Sequence, residues 1–172
     1  PKKKNLKLRY KKMKKKYSTL KIRKAVINDI EQIQNLIATF AKNNEMLPRS
    51  LNDLIEGIRE FVVIENEKKE IIACGALHIT WLDIAEVRSL ATRQDYQHHG
   101  LGKKIISYLI KEAKKIGIKK IFALTYKPGF FEKCGFKIIN KDALPKKVWT
   151  ECIKCPKFPN CDEIAVELVL KK

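Results

Sequence analysis

The 172-residue chain carries 37 Lys/Arg against 19 Asp/Glu, a formal net charge of +18, with 45% apolar residues. That length fits one domain with a sizeable core, not two. No run of about eighteen apolar residues and no signal-peptide pattern occurs, so no membrane partner is expected, and a cytoplasmic, soluble protein is.

Charge of this size invites a nucleic-acid reading, but its distribution argues against one. Residues 1–24 hold thirteen Lys/Arg and no acid, which leaves 24 against 19 in the other 148 residues, a net of +5. Residues 1–17 therefore read as a basic, disordered tail and 18–172 as the folded domain, because blocks of like charge stay solvated. Nucleic acid is not an expected partner. The chain opens on Pro1, so a processed start or a longer parent protein is expected, with Met13 as a candidate start.

In chain order, 19–25 reads as the first strand. Asn28 and Glu31 form a capping box for a helix whose apolar face is Ile30, Ile33, Leu36, Ile37 and Phe40. Ser50 and Asp53 cap a second, short helix running to about Ile58. Two strands, 60–65 and 70–80, flank the polar turn 66–69. Strand 84–92 alternates, with Ile84, Glu86, Arg88 and Leu90 on one face and Ala85, Val87, Ser89 and Ala91 on the other. A helix follows over 100–116, with Ile105, Leu109, Ala113 and Ile116 on its stripe. Then come strand 120–126, a short helix opened by Pro128 and ended by Gly135, strand 136–140, a helix-like stretch 144–153, and a last alternating strand 162–170. This order describes an α/β sandwich with a mixed sheet.

The informative stretch is the turn between strand 84–92 and its helix, Gln97-His98-His99-Gly100-Leu101-Gly102. Two glycines at a helix mouth let backbone approach a ligand where several N–H groups have no intrahelical acceptor, which suits a diphosphate. The Lys-Ser/Thr of a P-loop and the third glycine of a dinucleotide fingerprint are missing.

The stretch resembles the Gln/Arg-x-x-Gly-x-Gly/Ala signature of the GNAT superfamily of N-acetyltransferases, and the match extends beyond it. Ser89-Leu90-Ala91-Thr92 precedes the turn, and Gly129-Phe130-Phe131-Glu132-Lys133-Cys134-Gly135-Phe136 is similar to the superfamily's Tyr-Glu-Lys-x-Gly-Phe segment. Residues 75–90, Met46-Leu47-Pro48-Arg49-Ser50 and Leu144-Pro145-Lys146-Lys147-Val148-Trp149 resemble the short, stand-alone bacterial N-acetylglutamate synthases of arginine biosynthesis.

The resemblance covers about residues 20–170. It implies a GNAT-like mixed β-sheet with helices on both faces and splayed central strands, 84–92 and 120–126, that admit the pantetheine arm. It implies acetyl-CoA as co-substrate, held by Leu90, Ala91, Thr92, Gln97, His98, His99, Gly100, Leu101, Gly102 and Lys103. Glu86 is implied as the base acting through a water, and Arg49 and Arg88 as the holders of the amino-acid substrate. Lys127 is a third candidate. Transfer of an acetyl group from acetyl-CoA to L-glutamate is the expected reaction. Two alternatives stay open: a related acetyltransferase acting on glutamine or another amine, and a non-catalytic acyl-CoA-binding sensor. A homodimer is left open too.

The residue types suit this chemistry. Acetyl transfer needs a neutral amine, a polarised thioester carbonyl and a proton for the leaving thiolate. An amide near Leu90 or Ala91 can polarise the carbonyl if the strand bulges there. Arginine forks bind carboxylates bidentately. Glu86 can alternatively do no more than pair with Arg88, about 7 Å along the strand. Phe131 stands where many relatives place a tyrosine, so the general acid is unassigned, with Tyr126 or water as substitutes. His78 reads as a core or pocket-wall residue.

Cys74 and Cys134 read as small buried apolar residues. Cys152, Cys155 and Cys161, spaced Cys-x2-Cys-x5-Cys, read either as ligands for zinc or an iron–sulfur cluster, with Cys134 or Asp162 as a fourth, or as plain thiols.

Overall fold

Among the described residues, seven apolar or alternating runs form the strands β1 (Ile22–Lys24), β2 (Phe61–Glu65), β3 (Ile71–Trp81), β4 (Ile84–Thr92), β5 (Lys120–Thr125), β6 (Lys137–Ile139) and β7 (Ile164–Val169). In this computed structural model they order as β1-β2-β3-β4-β5-β7-β6 in one mixed sheet. The helices are α1 (Ile30–Ala41), α2 (Leu51–Glu56), α3 (Leu101–Lys115) and α4 (Pro128–Glu132). The structure describes Tyr17, residues 19–145, 152, 153, 155 and 157–171. The basic run 1–16 and Lys146, Lys147 and Trp149 lie outside the described residues. Among the described residues no helix is long and apolar enough to cross a membrane.

The chain clusters into two compact units, one holding residues up to Gly75 with Ser89–Ile106, the other Ala76–Arg88 with residues from Ser107 onward. In the first unit β1 runs antiparallel to β2, with Arg23 opposite Val63. All five residues expected on the inner face of α1 are buried. The capping box of α2 forms as the sequence predicts: Ser50 Oγ accepts from Asp53 N–H at 3.1 Å and Asp53 accepts from Ser50 N–H at 3.3 Å.

Asn28 does not cap α1. It sits inside a 3₁₀ turn, Ile27–Asp29, because Asp29 has stronger partners. The Asp29 carboxylate accepts from Val26 N–H at 2.8 Å and from both Arg23 Nη atoms, at 2.6 and 3.0 Å.

In the second unit β5 pairs parallel to β4 and antiparallel to β7. The β4–β5 ladder stops after Ile84↔Lys120, Ala85↔Ile121 and Glu86↔Phe122, whereas β5 stays paired to β7 through Thr125. Beyond Glu86 the two central strands therefore share no rungs, which is the expected splaying. Paired residues lie on one face of a sheet, so Glu86, Phe122 and Glu167 share a face. Phe122, Ile84, Leu144 and Ala165 form its buried cluster, with Leu124, Ile139 and Cys152 packed against it.

Several bounds are shorter than the sequence suggests, and the last strand starts at Ile164 rather than Asp162. Ile116 falls outside α3 and is 51% exposed, since the chain turns at Gly117 with φ +87°.

Candidate active site

The cofactor candidates lie in the first unit. β4 ends at Thr92, a 3₁₀ turn covers Gln94–Tyr96, and α3 begins at Leu101. Gln97 is folded back, its Nε2 donating to Thr92 O at 3.1 Å, which ties the turn to the strand end. His98 and Gly100 take left-handed backbone, φ +63° and +85°, on either side of His99. Such a zigzag aims successive N–H groups into one concavity. The α3 ladder begins with Lys104 N–H on Gly100 O at 3.0 Å. The amides of Leu101, Gly102 and Lys103 precede it and open on the helix mouth. A Cβ built on Gly100 meets no atom within 4 Å, so the space over the turn is open for a phosphate. These residues fit the diphosphate of acetyl-CoA, which supplies the thioester when bound.

Inside β4, Ser89 has φ +51°. A left-handed residue interrupts the pleat of a strand as a bulge does, the kind of break that an amide near Leu90 or Ala91 needs to face a carbonyl. Two side chains grip Ser89: Arg49 Nε donates to its Oγ at 3.4 Å, and Cys74 Sγ to its backbone O at 3.5 Å. Burial pushes the Cys74 thiol up to about 12, so it remains a protonated core residue. Arg49 is half-buried, not a solvated loop arginine.

The second unit holds Glu86 and Arg88 on β4. Arg88 Nε donates to Glu86 Oε2 at 2.5 Å, and each side chain is only 13% exposed. Residues 27–136 match the Acetyltransferase (GNAT) family. The chain belongs to that family.

An uncharacterized N-acetyltransferase of Chlorobaculum tepidum is 34% identical over 145 residues, 84% of this chain and 93% of its own length. An amino-acid acetyltransferase of Mycobacterium tuberculosis is 31% identical over 132 residues, 76% of this chain and 75% of its own. N-acetylglutamate synthase from Neisseria gonorrhoeae, solved with coenzyme A and N-acetyl-glutamate, superposes with a TM-score of 0.81 at 26% identity. That match spans 89% of this chain but 35% of the longer synthase. The present chain is thus a GNAT acyltransferase that uses acetyl-CoA.

Other expectations need revision. Among the described residues no group of three or more His, Cys, Asp or Glu is placed to hold a metal, so Cys152, Cys155 and Cys161 do not assemble a zinc or iron–sulfur site. All five cysteines are unbridged, and Cys134 is half-buried rather than buried. Phe131 is 5% exposed and meets Phe130 and Phe136 edge-on at 5.3 and 5.2 Å. A phenyl ring fills that site because it is part of the acetyltransferase's core. Tyr126, the substitute acid, is committed elsewhere: its hydroxyl donates to Asp162 Oδ1 at 2.7 Å and accepts from Lys157 Nζ. Burial leads the causes that hold its phenol above the ordinary value. Lys127 is exposed at the mouth of α4.

Two features were not legible in the sequence. The Tyr17 ring lies 4.4 Å from His99 and 5.5 Å from Tyr96, placing an aromatic beside the turn. Glu163 stands just before β7, its carboxyl pushed up first by burial and then by the charge of Glu86. A carboxylate heading an alternating strand was the available signal, but only the fold puts it near Glu86.

Proposed function

We propose that this acetyltransferase transfers the acetyl group of acetyl-CoA to the α-amine of L-glutamate, the first step of arginine synthesis, in the cytoplasm. The observation that carries this reading is that the two half-buried arginines, Arg49 and Arg88, are each tied into β4, one through Ser89 and the other through Glu86. A guanidinium fork is the matching donor for a substrate carboxylate, and each unit offers one such arginine. The names of the Mycobacterium and Neisseria relatives support the same class of substrate.

In this reading Glu86 accepts the proton of the substrate ammonium through a water, with Oε2 steadied by Arg88. The amide after Ser89 receives the developing charge on the thioester oxygen. The amides at the mouth of α3, with Lys103, hold the diphosphate. Gln97, His98 and His99 shape that turn, and Leu90, Ala91 and Thr92 lie along the pantetheine. Tyr126 is spoken for, so a water supplies the thiolate's proton.

Release of coenzyme A in the presence of acetyl-CoA and one amino acid at a time tests the assignment. Turnover with glutamate well above glutamine and other amines is expected. Turnover highest with another amine would move the substrate, and none with any would leave an acyl-CoA-binding sensor.

A further inference from the structure

Acetyl transfer leaves four thiols of the second unit unused, Cys134, Cys152, Cys155 and Cys161, and two of them, Cys152 and Cys155, are joined by a tight turn. Cys155 N–H donates to Cys152 O at 2.9 Å, and Phe158 N–H donates to Cys155 O at 3.0 Å. A turn closed from the fourth residue to the first brings their Cα atoms within about 7 Å, and a disulfide spans Cα separations of about 4.4–6.8 Å. Cys161 lies six residues beyond this turn, on the pocket that Cys152 also lines. Its backbone O accepts from Lys141 Nζ at 2.7 Å, and its Sγ is turned to Glu163 Oε2 at 4.0 Å.

The turn lies where a change would be felt. Cys152 packs against the cluster of Ile84, Phe122, Leu144 and Ala165, and Phe122 is the rung opposite Glu86. Cys152, Cys161 and Glu163 also line a pocket of about 470 Å³ with Leu124, Ile139 and Phe158. The wall of this pocket and the support of the Glu86 face are therefore one surface. All four thiols are only partly buried, so small molecules in solution can reach them.

We propose that Cys152 and Cys155 form a reversible dithiol–disulfide pair whose closure by a small-molecule disulfide, such as oxidised glutathione, slows the enzyme. One thiolate attacks a sulfur of the small disulfide and expels one small thiol. The second thiolate attacks the resulting mixed disulfide and expels the other. Two protein sulfurs are oxidised, one disulfide is reduced to two thiols, and both protons leave on those thiols. Closure draws the Cys152 sulfur toward Cys155 and off the Phe122 cluster, loosening the support of Glu86. The slowing rests on the catalytic reading above; the bond itself does not.

The test equilibrates the whole chain with glutathione buffers of stepped redox ratio, then maps disulfides by mass spectrometry and measures acetylated product. The expected result is a Cys152–Cys155 bond, titratable thiols falling from the five of the sequence to three, and turnover lower by about fivefold. Dithiothreitol should restore both. Cys155→Ser should keep its basal rate and lose the response, while Cys161→Ser should retain it. Lasting glutathione adducts without a protein disulfide, or a bond from Cys152 to Cys161, would overturn the pair. A Cys152–Cys155 bond with unchanged turnover would overturn the regulation. If no amine is acetylated at all, the catalytic reading fails, and the mapped bond still decides the pair.

Discussion

Glu86 and Arg88 form a 2.5 Å ion pair along β4, with each side chain 13% exposed. A carboxylate this far out of water needs a partner, and Arg88 provides it from the same face two residues on. Pairing and base catalysis are compatible here, because the bond occupies Oε2 and leaves Oε1 for a water. The pair also orients that oxygen, which a lone glutamate on a strand would not achieve.

Glu86→Gln should therefore lower kcat by about 10²-fold or more at neutral pH, the usual yield of a positioned base. The loss should shrink in alkali, where the amine is already neutral. In a double-mutant cycle with Arg88→Ala the two losses should depart from additivity by about 0.5–3 kcal/mol. A pH-independent loss with additive effects would reduce Glu86 to a structural partner of Arg88.

Arg49→Ala should raise KM for the amino acid far more than KM for acetyl-CoA. A lost charged hydrogen bond in a half-buried setting costs about 2–3 kcal/mol, or about 30- to 150-fold. Ser89→Ala removes only the 3.4 Å contact that steadies Arg49, so its effect should be several times smaller. Equal rises for both substrates would show that the variants are misfolded.

What could be read from the chain divides along physical lines. The apolar face of α1, the Ser50–Asp53 cap and the span of β4 follow from local periodicity and capping chemistry, and all three form as expected. Asn28 failed as a cap because Arg23, six residues earlier, recruits Asp29 across a turn, a contact that no local rule contains. The glycine turn was visible because Gly100 needs φ +85°, but Ser89 at φ +51° was not, since serine carries no such mark. Ionic and thiol groups gathered by the sheet, as Glu163 and Cys152 are near Glu86, depend on register and stay hidden until the strands pair.

Gly100→Ala probes the turn. A side chain at φ +85° is strained by about 1–2 kcal/mol although its Cβ meets nothing within 4 Å. For a chain of this size the melting temperature should fall by about 2–4 °C for each kcal/mol. The methyl group enters the space assigned to the diphosphate, so acetyl-CoA affinity by calorimetry should fall as well. A thermal shift with unchanged affinity would detach the turn from the cofactor.

Asp29 should govern the acid limb of stability. Burial raises its carboxyl, but hydrogen bonds from Arg23 and Val26 outweigh this and hold it below the ordinary 3.8. A carboxyl lowered by folding contributes stability that is present above 3.8 and lost as pH falls through the folded value. Asp29→Asn should cost about 1–3 kcal/mol at pH 7. Its deficit should narrow below pH 4, as read from urea midpoints. A deficit that stays constant down to pH 2 would mean that the ionic contact with Arg23 contributes nothing.

Glu163 predicts the opposite dependence. Its carboxyl is held above the ordinary 4.5, first by burial and then by the neighbouring charge of Glu86. A group raised by folding lends stability in its protonated form, fully below 4.5, and that stability is lost as pH rises through the folded value. Near neutrality the ionised Glu163 sits partly buried beside a second carboxylate, so the native state bears its repulsion. Glu163→Gln removes the charge, keeps the shape, and should move the urea midpoint up at pH 7 while leaving it nearly unchanged at pH 4. Removing Glu86 with Glu86→Gln should lower the Glu163 pKa, which carboxyl-carbon NMR can follow directly. Equal midpoint shifts at both pH values, or a Glu163 resonance indifferent to Glu86, would show that the two carboxylates do not share a field.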